Sequence, residues 1–167
     1  MTLAQALFIV ALIVVLLAVA GFAAVVVAGA ARGGAGSFIT PGLLGRMVRS
    51  PAERAEVDRW AFYAHRISGF AVFAFLALHV CDVGLYGISH RLYDQVHQLY
   101  GTAPLRVFEC GLLFGILFHT FNGLRILAID LADLRVVTSR RLLAGAFALT
   151  VVLGLLGSAV ILRPVFA

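Results

Sequence analysis

The sequence predicts an all-α integral membrane helical bundle with four transmembrane helices, on the basis of its composition, its hydropathy and its apolar runs. Hydrophobic residues make up 62% of the 167 residues and charged residues 13%, and the mean hydropathy is +1.04. Such values are typical of a lipid-solvated chain. Runs long enough to cross about 30 Å of hydrocarbon occur at residues 3–31, 67–88, 105–129 and 142–162. We expect one domain over residues 1–167, divided into a first span (1–32), an arm (33–65) and a three-helix core (66–162).

Positive charge is concentrated in two of the connections. All 13 basic residues are arginine, and the net charge is +5. The clusters lie between the first two spans and around the link between the last two: Arg32, Arg46, Arg49, Arg54, Arg59 and Arg66, then Arg125, Arg135, Arg140 and Arg141. The positive-inside rule places both clusters in the cytoplasm and both termini outside. We therefore expect a multi-pass protein of the inner (cytoplasmic) membrane that contacts membrane lipid. Nucleic acid is not an expected partner.

The first span consists mainly of Ala, Val and Leu, and we expect it to pack on lipid and on neighbouring helices. Residues 28–30 resemble a signal-peptide cleavage site, but the apolar run is too long for one and no basic residue precedes it. We therefore expect a retained helix.

The arm that follows is glycine-rich at residues 33–36, and Pro51 is suited to begin a short helix. The aromatic belt of Trp60, Phe62 and Tyr63 closes the arm, which predicts a docking surface for a soluble partner.

The second span opens with the letters HRISG, which place His65, Arg66 and Ser68 at the cytoplasmic boundary, beside Gly69. Cations and a hydroxyl at this depth suit the carbonyls of a quinone head group, which needs hydrogen-bond donors and a proton supply. The alternative is a basic interfacial anchor in which the serine bonds to its own helix backbone.

Deeper in the same span, His79 precedes Asp82 by three positions. Asp82 would accept a proton from His79 and orient the ring for a metal, or the two would form a structural hydrogen bond.

The polar loop at residues 89–104 has apolar residues at helical spacing, which predicts a short surface helix, and its His90 and His97 are expected to be solvated. Cys81 and Cys110 lie in apolar spans without a CxxC spacing, which favours packing.

The third span carries a stripe of residues at four-residue spacing: Gly111, Gly115, His119 and Gly123. Residues four apart share a helix face, so small residues flank His119, and Asn122 and Asp130 lie beside the stripe. His119 lies 11 positions before Asp130, which is about 16 Å from the cytoplasmic end. An imidazole at that depth needs a partner. A haem iron would provide one, with the glycines giving a porphyrin clearance. An interhelical hydrogen bond within a small-residue contact is the alternative.

Arg125 and Asp130 end the third span where it returns to water. One explanation is snorkelling and interfacial anchoring. The other is that Arg125 pairs with a haem propionate or orders the cytoplasmic surface.

Two of these motifs together resemble a known family. The HRISG opening of span two and the segment HTFNGLRILAIDL of span three are similar to the cytochrome b membrane anchor of succinate:quinone oxidoreductase, the succinate dehydrogenase known as complex II, over residues 62–134. On the third span, His119, Gly123, Arg125 and Asp130 match the family pattern in order.

The resemblance implies that the chain is a membrane anchor with a three-helix family core and one extra N-terminal span. It also implies that His119 is an axial ligand of haem b and that Arg66 lies at the quinone site and near haem propionates. His65, Ser68 and Arg125 are then in the vicinity of quinone or propionates. The partners would be a second small anchor subunit donating the opposing ligand, an iron–sulfur subunit and a flavoprotein. The chain itself would oxidise no dicarboxylate.

His79, Val80 and Asp82 resemble members of actinobacterial and archaeal-like type, in which two small anchors share two haems; there His79 would bind the second haem. The sequence departs from the family pattern at Phe62, where some members have serine, and at Ile126, where many have histidine. The quinone contact of that serine is therefore not carried over. The rival expectation is a haem-free structural anchor of fumarate reductase type, in which His119 only bonds a neighbouring helix.

Overall fold

The computed structural model describes residues 1–32, 51–132 and 136–166, and every regular element in these ranges is helical. The helices are α1 (Leu3–Arg32), α2 (Pro51–Ile88), α3 (His90–His97), α4 (Ala103–Ala132) and α5 (Val136–Phe166), and a 3-10 turn, Gln98–Gly101, lies between α3 and α4. Four of the helices are long and apolar enough to cross a membrane, over Leu3–Gly29, Trp60–Ile88, Ala103–Ala132 and Thr138–Phe166. The predicted four-span all-α bundle is confirmed. The glycine-rich part of the arm, at residues 33–50, and Arg135 lie outside the described residues.

Local sequence explains where the first helices begin. Thr2 and Gln5 form a capping box at the start of α1: the Gln5 N–H donates to Thr2 Oγ1 at 3.3 Å and the Thr2 N–H donates to Gln5 Oε1 at 2.9 Å. Ser89 caps α3, since its side chain accepts from the Leu92 N–H. The surface helix predicted in the loop is therefore present, and Val96 is the residue that it buries.

Helix α2 differs from the prediction. Pro51 does begin a helix, but this helix runs unbroken for 38 residues and includes the second span, which starts at Trp60 instead of residue 67. No proline or glycine lies between Pro51 and Gly69, so nothing interrupts the backbone hydrogen bonds. The predicted boundary between arm and core, at residues 65 and 66, falls inside this one helix.

The bundle is held by α4, which packs against both α2 and α5, while α1 packs on α2 and α3. Small residues allow α5 to approach α4 closely: a Cβ built at Gly154 would collide with the Phe114 ring, and one at Gly157 would lie 2.5 Å from Leu113. At the end of the bundle that contains α3, here called the α3 end, Arg106 Nη1 donates to the Ile161 carbonyl at 2.8 Å. The opposite end is here called the arginine-rich end.

Candidate functional site

Two histidines meet between α2 and α4, and each packs where the other helix has a glycine. The His65 and His119 rings are stacked, with centroids 4.1 Å apart and planes 5° apart. A Cβ at Gly69 would lie 2.7 Å from His119 Cε1, and one at Gly123 would lie 3.4 Å from His65 Cε1. The helices are antiparallel, so a single register places both His–Gly pairs. Glycine at these two positions is what gives the rings room.

A backbone carbonyl orients the His119 ring. Its Nδ1 lies 3.2 Å from the His65 carbonyl oxygen, which can only accept a hydrogen bond, so Nδ1 carries the proton. In the neutral ring, Nε2 then has the free lone pair. Among the described residues Nε2 has no hydrogen-bond partner, and it is not one of the side-chain atoms enclosed by protein. The ring is therefore fixed through one nitrogen and accessible through the other.

The remaining residues of the HRISG segment point in different directions. Ser68 Oγ donates to the His65 carbonyl at 3.0 Å, as the back-bonded alternative anticipated. Arg66 is exposed, and its guanidinium carbon lies 4.4 Å from the centre of the Phe62 ring, within the range of a cation–π contact. Of the three polar side chains in this segment, Arg66 is the one presented to the surroundings of the chain.

Arg125 binds across to α5. Its Nε donates to the Ser139 carbonyl at 3.1 Å and its Nη2 donates to Ser139 Oγ at 2.9 Å. Its Nη1 donates to Asn122 Oδ1 at 3.2 Å. Asn122 is completely buried. The guanidinium therefore joins the two helices near the arginine-rich end.

Two cavities flank these residues. One, of about 200 Å³, lies at the arginine-rich end and includes Phe62, Asn122, Arg125 and Asp130 in its lining. The other, of about 210 Å³, lies where α1, α2 and α4 meet, and Gly111 and Gly115 line it. A Cβ at either of these two glycines would meet nothing within 4 Å. The glycine stripe is thus open at Gly115 and filled by His65 at Gly123.

The expected pairing of His79 with Asp82 is wrong. Asp82 is 4% exposed and accepts a hydrogen bond from the Tyr100 hydroxyl at 2.8 Å, whereas His79 is exposed and stacks on Phe75. A three-residue step on a helix turns the side chain by about 60° from its neighbour, which here separates a lipid-facing from an inward-facing position. Burial of the Tyr100 phenol and its hydrogen bond to the Asp82 carboxylate raise the pKa of Tyr100 above its usual value of 10.0.

The loop histidines lie on the surface, as predicted. His90 and His97 are exposed, and they stack on Tyr86 and Tyr93 respectively. The stacked pair at the centre of the bundle was not anticipated. Its signal in the sequence is a repeated H-x-x-x-G step, His65 to Gly69 and His119 to Gly123, which places a ring and a gap on one face of each helix.

Comparison with known proteins agrees with this architecture. Residues 49–157 match the family described as succinate dehydrogenase/fumarate reductase transmembrane subunit. Over 77 residues the chain is 38% identical to the succinate dehydrogenase 2 membrane subunit SdhC of Mycobacterium tuberculosis, covering 46% of this chain and 57% of that protein. Over 73 residues it is 30% identical to the succinate dehydrogenase hydrophobic membrane anchor subunit of Halobacterium salinarum, covering 43% and 56%.

The matched part spans somewhat more than half the length of each relative. Helix α1 precedes the family match and is additional to it. With four apolar helices, the chain is a multi-pass membrane protein. It belongs to the succinate dehydrogenase/fumarate reductase transmembrane subunit family.

Proposed function

We propose that this chain is the membrane anchor of a succinate:quinone oxidoreductase in the cytoplasmic membrane. Electrons from succinate would reach it through flavin and iron–sulfur centres on soluble subunits and would leave on quinone. Family membership and the names of the two relatives support this role. The chain would contribute quinone and haem binding and leave dicarboxylate oxidation to the flavoprotein.

The haem part of the proposal is supported by the orientation of the His119 ring and by the position of its proton on Nδ1. A neutral imidazole whose Nδ1–H is held by a carbonyl has the tautomer and the orientation that an axial ligand needs, and His119 Nδ1 lies 3.2 Å from such a carbonyl. Nε2 is the nitrogen left to bind iron. Haem b, when bound, accepts and passes on single electrons.

His65 does not fit as the second ligand of the same iron. The His65 and His119 rings are stacked face to face with centroids 4.1 Å apart, so a flat porphyrin would have no space between them. The opposing ligand would therefore come from a second small anchor subunit, and the haem would lie between the two chains.

The quinone would bind near Arg66, at the arginine-rich end. Arg66 is exposed, so its guanidinium is available to a quinone carbonyl or to a haem propionate at the surface that faces a partner. His65 and Ser68 would lie close to the quinone or the propionates without contacting them directly, since Ser68 Oγ donates to the His65 carbonyl. Arg125 would hold α4 and α5 in place beside the propionates. Gly115, where a Cβ would have open space, would keep α4 narrow enough for a porphyrin, whereas the space at Gly123 is taken by His65. His79 would bind a second haem.

The test is His119→Ala in the purified complex, with His97→Ala, an exposed loop histidine, as the matched control. We expect the His119 variant to lose one b-type haem per anchor, measured as the haem-to-protein ratio, while the flavin and iron–sulfur subunits still copurify. The control should keep its haem. Full haem content in the His119 variant would refute the ligand assignment.

Substitution of His79 then decides between one haem and two. His79→Ala should remove a second haem and leave the first in place, and an unchanged ratio would return His79 to a surface role. Copurification without flavin and iron–sulfur subunits would contradict the anchor function itself.

One observation favours a second candidate, a haem-free anchor of fumarate reductase type. His119 already makes an interhelical contact, since its Nδ1 donates to the His65 carbonyl and its ring stacks on the His65 ring. A reduced-minus-oxidised spectrum of the purified complex without a b-type band would establish this candidate and exclude the first.

A further inference from the structure

A second site lies at the α3 end, far from the histidine pair. Side chains of α1, α2 and α3 enclose a groove of about 470 Å³ whose lining is predominantly apolar. Leu3 and Leu7, which line it from α1, are 77% and 62% exposed. The groove therefore opens on the surface that α1 presents to the bilayer.

One carboxyl group lies in this apolar lining. Asp82 lines the groove and is 4% exposed. Its Oδ2 accepts from Tyr100, but its Oδ1 has no hydrogen-bond partner in the described part of the chain. A buried carboxylate oxygen without a donor is costly, and a donor from a bound molecule would offset that cost.

The groove depends on the helix that the family match leaves out. Residues 49–157 make the match, whereas one wall of the groove is the N-terminal part of α1. This wall is held in place: Gln5 Nε2 donates to the Gln95 carbonyl at 3.0 Å, and the Phe8 ring packs on Tyr100 with centroids 5.7 Å apart. The site is thus a fixed feature that α1 adds to the family core.

We propose that this groove binds a phospholipid with a primary-ammonium head group, which donates a hydrogen bond to Asp82 Oδ1. The apolar walls receive an acyl chain, the opening beside α1 admits it from the bilayer, and the unpaired carboxylate oxygen selects a cationic donor. This inference does not rest on the proposed electron-transfer function.

Cys81 gives a reporter inside the groove, because it lines the cavity and is exposed, whereas Cys110 is buried. The experiment uses the purified complex with Cys110→Ser, placed in nanodiscs of either dioleoyl phosphatidylcholine or dioleoyl phosphatidylethanolamine. The two lipids share their chains, but only the second has N–H donors. Alkylation of Cys81 by N-ethylmaleimide is followed by mass spectrometry of the intact chain.

We expect Cys81 to react about threefold more slowly in phosphatidylethanolamine, as a charge-assisted hydrogen bond favours occupancy of the groove. Asp82→Asn should abolish the difference between the lipids, because it removes the charge that selects the ammonium. Tyr100→Phe, which keeps the carboxylate, should preserve it. Equal rates in both lipids for the parent protein, or the same slowing in Asp82→Asn, would overturn the proposal.

A second variant covers the case in which Asp82→Asn does not fold. Leu7→Trp places a large ring in the groove from an exposed position on α1. We expect this variant to show slow alkylation in both lipids. A persistent difference between phosphatidylcholine and phosphatidylethanolamine in this filled groove would place the lipid effect elsewhere and refute the site.

Discussion

Replacement of Gly69 by alanine should disturb the histidine pair directly. The added Cβ would lie 2.7 Å from His119 Cε1 and 3.1 Å from Nδ1, whereas carbon atoms in contact are about 3.5–4.0 Å apart. The ring must therefore retreat by roughly 1 Å, which lengthens the 3.2 Å contact between Nδ1 and the His65 carbonyl.

The energetic cost follows from three terms. Overpacking costs about 1–3 kcal/mol, a lost hydrogen bond costs about 1 kcal/mol, and the higher helix propensity of alanine returns up to about 1 kcal/mol. We expect Gly69→Ala to lower the free energy of unfolding by about 2 kcal/mol. Titration of the purified complex with sodium dodecyl sulfate measures this quantity, and it does so whether or not haem is bound.

Two glycines on α4 provide graded controls. A Cβ at Gly123 would lie 3.4 Å from His65 Cε1, and one at Gly111 would meet nothing within 4 Å. We therefore expect a smaller loss for Gly123→Ala and no loss, or a slight gain, for Gly111→Ala. If Gly69→Ala is as stable as Gly111→Ala, the His119 ring is not confined by α2.

Two further substitutions and one pH titration test other contacts. Arg125→Lys should lower the unfolding temperature of the complex by a few degrees, because an ammonium group cannot replace the two guanidinium contacts with α5; exposed Arg141→Lys should not, and equal effects would contradict this role. Gly154→Ala should weaken the packing of α4 on α5, whereas Gly145→Ala, where a Cβ has open space, should not; equal detergent resistance would argue against close packing. Burial of the Tyr100 phenol and its hydrogen bond to Asp82 raise the pKa of Tyr100, so the stabilisation by the protonated phenol is complete below pH 10.0 and is lost as the pH rises further toward the folded-state pKa. Absorbance at alkaline pH should therefore show this phenol ionising after the other tyrosines, and a transition at its usual pKa would contradict the shift.

Hydropathy was sufficient to predict the four spans, because in a bilayer each helix must satisfy its own backbone hydrogen bonds and so leaves a long apolar run. The boundaries were less predictable. Pro51 indicated the start of a short helix in the arm, yet good helix formers continue into the span, and the structure has one helix, α2.

Sequence periodicity could not predict which residues of different helices contact each other. Four-residue spacing placed His119 and its glycines on one face of α4, but the register of α2 against that face depends on both helices together. Asp82 shows the same limit: the nearest polar residue on its own helix suggested His79, whereas its partner is Tyr100, which lies 18 positions away in the 3-10 turn.

The reciprocal His–Gly packing of α2 and α4 also constrains where residues can be inserted or deleted. Each residue added to a helix turns everything beyond it by about 100° and moves it by about 1.5 Å. One insertion between His65 and Gly69 would carry the gap away from His119 while His65 stayed against Gly123, so the two contacts would no longer be met by any single alignment of the helices. An insertion in the connection between α2 and α4 leaves both contacts intact. Insertions and deletions should therefore accumulate in the connections and be excluded from the two His-to-Gly steps.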